Sequence, residues 1–171
     1  MGSLISTPPS PMRPVHVIAF LHCRSMMAAR CRDGRLASLT RCEAVYSLVG
    51  STYVALQGPG VSCPAPASEH QLTVLKISSG NRPTITQAWC GKVSGAGSPI
   101  VTTSDGTSDP IVWMVGAEGD NRLHGFKGDT GEPLLPAAGP AMVGLRHFQT
   151  LIATRDRLYV GADGRIYAFA F

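Results

Sequence analysis

A chain of 171 residues with 19 Gly, 13 Pro, 15% charged residues and a net charge of +4 has room for one ordinary domain built from short strands and turns. The positive charge is concentrated in six arginines of the first 41 positions, Arg13, Arg24, Arg30, Arg32, Arg35 and Arg41. No basic stripe interleaved with aromatics marks a nucleic-acid surface, and no apolar run approaches the ~20 residues of a membrane-spanning helix.

Residues 1–14, with Pro8, Pro9, Pro11 and Pro14 and no apolar period, are expected to be disordered. The run "VHVIAFLH" at 15–22 follows Arg13 and has the order of an export signal, although it is short. The compartment therefore stays open, with an extracytoplasmic or secreted location favoured. The start "MGSLIS" matches a myristoylation signal formally, as many Met-Gly starts do. Residues 1–43 as a whole read as an irregular segment. From residue 44 the chain becomes regular, with strands expected at 44–49, 52–57, 72–77 and 85–90. A second group is expected at 99–103, 111–116, 122–126 and near 134–135. A third is expected at 148–154, 157–161 and 165–169. Asp163-Gly164 suits a two-residue type I′ hairpin turn, with positive φ at both positions.

The segments "VGAEGDNRLHGF" (115–126) and "VGADGRIYAF" (160–169) are copies of one pattern, and Phe126 and Phe169 lie 43 residues apart. A third, degenerate copy joins "STYVALQG" (51–58) to "LTVLKISSGNRPTITQAWC" (72–90). A repeat of this length made of short strands predicts propeller blades rather than a helical solenoid. The fold class expected is all-β: a partial β-propeller of two and a half to three four-stranded antiparallel blades over 44–171. The blades fall at 44–92, 97–138 and 146–171, and the last lacks its fourth strand.

The segment "LHGFKGDTGEPLL" (123–135) resembles the repeat of pyrroloquinoline-quinone-like (quinoprotein-type) β-propellers, in which an Asp turn leads to Thr-Gly and a strand ending in Trp. Thr130-Gly131 matches. Lys127 and Leu135 replace the family's Asp and Trp. Trp89 stands where the preceding blade's docking Trp would be, and "IYAF" near the C-terminus matches the lead-in. The resemblance implies structural roles for Trp89, Phe126, Thr130, Gly131, Asp163, Gly164 and Phe169. Family members hold the quinone in a central funnel, with an acid and amides on Ca²⁺ and often an adjacent Cys pair. This chain has no Cys-Cys, and fewer blades than the four of the smallest closed rings. It reads as a C-terminal fragment: a non-catalytic binding or scaffold module with no cofactor of its own. The alternative is a fragment of a quinoprotein oxidoreductase lacking its catalytic blades, with pyrroloquinoline quinone and calcium belonging to the complete parent.

No residue group supports catalysis or metal binding. Asp120, Asn121 and Asp129 lack the spacing of an EF-hand loop and suit turns. "SGAGSP" (94–99) lacks the Lys-Ser/Thr of a phosphate loop and reads as the connection between blades. The five histidines, His16, His22, His70, His124 and His147, are scattered. His124 takes the Tyr167 position of the repeat, and His70 lacks the nucleophile elbow that a Ser-His site needs. No cysteine pair has zinc-site spacing. Cys63 and Cys90 are either two free thiols or a disulfide closing a 28-residue loop, worth ~3 kcal/mol. An unknown protein or small ligand is expected at loops 58–71 and 104–110. At the C-terminus, either "VHVIAF" pads the last blade or its open edge leads to self-association.

Overall fold

The computed structural model of the protein describes residues 16–17, 43–134, 141–147, 149 and 151–170. The expected disorder of 1–14, the second residue of the strand near 134–135, and Phe148 and Phe171 lie outside them. The described residues form an all-β fold of three antiparallel sheets.

The first sheet takes its strands in chain order: β2 (Glu43–Leu48), β3 (Ser51–Gln57), β4 (Leu72–Ser78) and β5 (Thr84–Gly91). Period-two alternation gives it two faces. The row Ala44, Ala55, Val74 and Trp89 is buried toward the second sheet. Val45, Val54 and Leu75 form a row on the opposite face.

The second sheet has the order β1 (His16–Val17), β6 (Ile100–Thr103), β7 (Ile111–Val115) and β8 (Leu123–Lys127). Both of its faces are buried. Val101, Val112, Met114 and Phe126 join the core of the first sheet, and Ile100, Trp113, Val115 and Leu123 join that of the third. The third sheet has the order β11 (Arg165–Ala170), β10 (Arg157–Ala162) and β9 (Leu151–Ala153). It buries Leu151, Leu158 and Val160 against the second. Sheet packs on sheet, each linked to the next by one continuous apolar cluster.

Three expectations are corrected. Of the segment 15–20, the described residues His16 and Val17 pair with Thr103 and Thr102 of β6 and not with the last sheet. All four residues of β6 are buried, so its edge needs protein partners, whereas alternate residues of β11 are exposed and water can serve its edge. No fourth strand forms at Leu134. One bridge joins Pro133 to Phe126, and the Leu134 amide donates to the Gly125 carbonyl at 2.9 Å. Proline has no N–H to continue a ladder. Finally, the Asp163-Gly164 turn is not type I′, because only Gly164 has positive φ (65°). The type I′ sign pattern occurs instead at Val49 and Gly50, with φ of 45° and 71°, between β2 and β3.

Candidate functional site

A groove of about 690 Å³ lies along the junction of the first two sheets. Its floor is aromatic. Phe126 of β8 is buried beside Trp89, ring centroids 5.8 Å apart, and the His124 ring lies parallel to Phe126 at 6.3 Å. One wall is the end of loop 58–71, where the 3-10 turn Ala67–Glu69 precedes His70. His70 bridges to Val93, and the Gln71 amide donates to the Val93 carbonyl at 3.0 Å. These bonds fasten the loop to the segment that follows β5. Across them Lys92 Nζ meets Glu69 Oε2 at 2.9 Å. The hydrogen bond from Lys92 holds the Glu69 carboxyl below its ordinary pKa and raises that of the ammonium.

The opposite wall is the turn between β7 and β8. Asp120 is its anchor. Oδ1 accepts the Arg122 amide at 3.0 Å, and Oδ2 accepts the Ser94 amide at 3.3 Å and faces His124 Nε2 at 2.9 Å. The Asp120 amide donates back to the Ser94 carbonyl at 2.9 Å. Burial pushes the Asp120 pKa up, but the His124 contact and the two amides outweigh it, so the carboxyl titrates below its ordinary value. Arg122 and Lys92 bring two cationic side chains to the same concavity.

The disulfide reading of the cysteines is the one the structure contains. Cys63 and Cys90 are joined, with Cα atoms 5.7 Å apart, and Cys90 borders the groove. The bond ties the start of loop 58–71 to β5, while the bridge at His70 ties its end. The Gly60 amide also donates to Cys63 Sγ at 3.2 Å.

Of the residues singled out by the repeat, Trp89, Phe126, Gly131 and Phe169 pack, and Thr130, Asp163 and Gly164 lie in turns. Trp89 Nε1 donates to the Gly128 carbonyl at 3.0 Å, and the Tyr46 hydroxyl donates to the same oxygen at 2.6 Å. Gly131, at φ 73°, lies flat against the indole: a Cβ there would be 2.6 Å from Trp89 Cδ2. Thr130 shapes that turn by accepting the Glu132 amide at 3.3 Å. Phe169 packs, partly buried, against the second core. Asp163 forms an ion pair with Arg146, and its amide donates to the Gly144 carbonyl at 2.9 Å. Gly164 supplies the left-handed turn position.

Loop 104–110 contributes nothing to the groove. Its Asp105 carboxylate is spent on its own loop, accepting the Thr107 amide at 2.8 Å and the Ser108 amide at 2.6 Å, which pulls its pKa well below the ordinary range. Asn121, at φ 55°, and Asp129 serve turns, Asn121 Oδ1 accepting the Glu118 amide at 3.1 Å and Asp129 Oδ1 the Thr130 amide at 2.9 Å. Among the described residues no three His, Cys, Asp or Glu side chains gather as a metal-binding group. Sequence reading missed the groove because Glu69, Lys92 and the Asp120–Arg122 turn come from three separate segments. Only the Asp120-x-x-x-His124 spacing hinted at a pair.

Among known proteins, the chain matches no family model, no curated protein and no solved structure.

Proposed function

We propose that residues 43–170 are three successive blades of a propeller-type module that binds, without catalysis, a small anionic ligand in the groove between the first two sheets. The observation that carries this reading is the convergence of Lys92 and Arg122 with two imidazoles over a partly aromatic floor. Lys92 is held by a single solvent-exposed ion pair with Glu69. Such pairs are worth about 0–1 kcal/mol, so a ligand carboxylate or phosphate replaces Glu69 at small cost. Asp120, by contrast, is engaged by two backbone amides and keeps the opposite wall in place. The 43-residue repeat and the burial of both faces of the middle sheet support the blade arrangement.

Two-dimensional ¹⁵N NMR titrations with acetate and with inorganic phosphate, each matched by chloride at equal ionic strength, test the reading. The expected result is saturable shifts at the amides of 92–94 and 120–124, reduced in Lys92→Ala and in Arg122→Ala. Shifts that chloride reproduces, or that persist in both variants, would refute an anion site in this groove.

A further inference from the structure

Polarity changes along the groove in one direction. Cys90, Lys92 and Ser94 are alternate residues of β5 and the segment that follows it. Phe126, His124 and Arg122 are alternate residues of β8 and the turn before it. All six line the groove, while Gly91, Val93, Leu123 and Gly125 between them are buried. Period-two alternation therefore gives each wall one row of side chains. Contacts at the two ends make the rows antiparallel. At one end a Cβ on Gly91 would lie 3.0 Å from Phe126 Cζ, and the Trp89 and Phe126 ring centroids are 5.8 Å apart. At the other, the Ser94 amide donates to Asp120 Oδ2 at 3.3 Å, and the Asp120 amide donates to the Ser94 carbonyl at 2.9 Å.

Along this axis both rows change character in step. Cys90 in its disulfide, Phe126, and Pro133, which bridges to Phe126, make an apolar end. Ser94, Asp120 and Arg122 make a polar end, and Lys92 and His124 come between. Alternate strand positions are about 7 Å apart, so Lys92 and His124 stand about 7 Å along their chains from the apolar end. An inorganic anion would use the charged part alone. The whole groove, at about 690 Å³, lies within the ~300–1,000 Å³ of sites that enclose a ligand of many atoms.

We propose that the ligand is an aryl-alkyl carboxylate. Its ring occupies the apolar end against Phe126, Pro133 and the disulfide, where contact is dispersive and carries no charge. Its carboxylate takes the place of Glu69 on Lys92, with Arg122 beyond. A chain of about three methylenes spans the ~7 Å between the two. Charge selects a monoanion. The groove sets Lys92 and Arg122 against Glu69 and Asp120, and Asp120 stays in place on its two backbone amides. A second negative charge on the ligand would lie between Asp120 and the displaced Glu69. The proposal rests on the anion site stated above and adds the class of ligand to it.

Amide-resolved NMR titrations of the full chain test it with butyrate, with phenylbutyrate, and with phenylpropylphosphonate, a dianion with the same ring and spacer. Phenylbutyrate is expected to bind about tenfold or more tighter than butyrate, from the apolar area its ring buries. Its shifts should extend beyond the amides of 92–94 and 120–124 to those of 90, 91, 125 and 126. Pro133 is exposed, and Pro133→Asp should bring phenylbutyrate down to the affinity of butyrate. Lys92→Ala should weaken both carboxylates. An otherwise unchanged amide spectrum shows that each variant folds, and Pro133→Ser, with no added charge, replaces Pro133→Asp if that one does not. Equal affinities for the two carboxylates, or an affinity ratio unchanged in the Pro133 variant, would overturn the proposal. So would tighter binding of the phosphonate, or phenylbutyrate binding indifferent to Lys92→Ala. The anion site survives any of these results if butyrate still saturates and is weakened by Lys92→Ala. If neither carboxylate saturates, the anion site itself fails and the ligand class fails with it.

Discussion

Gly131→Ala tests the contact that joins the first sheet to the second. Gly131 has φ of 73°, and an alanine in the left-handed region costs about 1–2 kcal/mol. The added Cβ would also lie 2.6–2.8 Å from Cδ2, Cε3 and Cγ of Trp89, closer than real contacts allow. The indole is buried and cannot simply swing into solvent. Its retreat would strain the core by about 1–3 kcal/mol and stretch the hydrogen bond to the Gly128 carbonyl, worth about 1 kcal/mol. The expected loss is about 3–6 kcal/mol, a large fraction of the ~5–15 kcal/mol typical of a domain. Gly50→Ala is the control: its φ is 71°, and nothing lies within 4 Å of a Cβ there. It should show the backbone cost alone. Urea titrations followed by tryptophan fluorescence give both values. The double variant Gly131→Ala, Trp89→Phe should recover part of the packing loss, because the smaller ring yields space. If Gly131→Ala costs no more than Gly50→Ala, the argument that this glycine is required by the indole is refuted.

Val49→Asn should stabilise the protein by about 1 kcal/mol in the same titrations, because a β-branched side chain sits there at φ 45° while fully exposed; an unchanged midpoint would count against strain in that turn. Replacing Cys63 and Cys90 together by serine removes a cross-link with a sequence separation of 27 and should cost about 3–4 kcal/mol; a difference below about 1 kcal/mol would refute loop closure as a stabilising factor. Asp120→Asn tests the anchor of the groove by pH. The folded pKa of Asp120 is depressed, so its contribution is present above the ordinary Asp value of about 3.9 and is lost as pH falls through the folded value. The variant should be less stable at neutral pH, and the gap should close on acidification; a gap independent of pH would mean that the carboxylate charge has no part in it.

What the sequence revealed, and what it concealed, follows from how far apart the interacting groups are. Strand positions from 44 onward were legible because alternation is local, and the described bounds differ from it mostly by a residue or two. The turns were harder. Asp-Gly is a strong type I′ signal, yet the turn that has positive φ at both positions uses Val49-Gly50. Turn type is imposed by the twist of the flanking strands, and the sequence shows a residue's tolerance of a conformation, not its use. The fourth strand of the second sheet depended on one residue, Pro133, and that sheet instead pairs β6 with His16 and Val17, more than 80 positions earlier. The groove depended on separate segments that meet only after the sheets pack.

The same reasoning connects the middle sheet to the two ends. A strand buried on both sides should be apolar at consecutive positions, as "IVWMV" at 111–115 is. A strand at the end of a stack, with water on one side, should alternate with polar residues. Neither terminal sheet does so fully. In β3 Val54 follows Tyr53 and precedes Ala55; in β11 Ile166 stands on the face opposite Tyr167. Exposure of β-branched side chains on a flat sheet brings no stability to a monomer and promotes association.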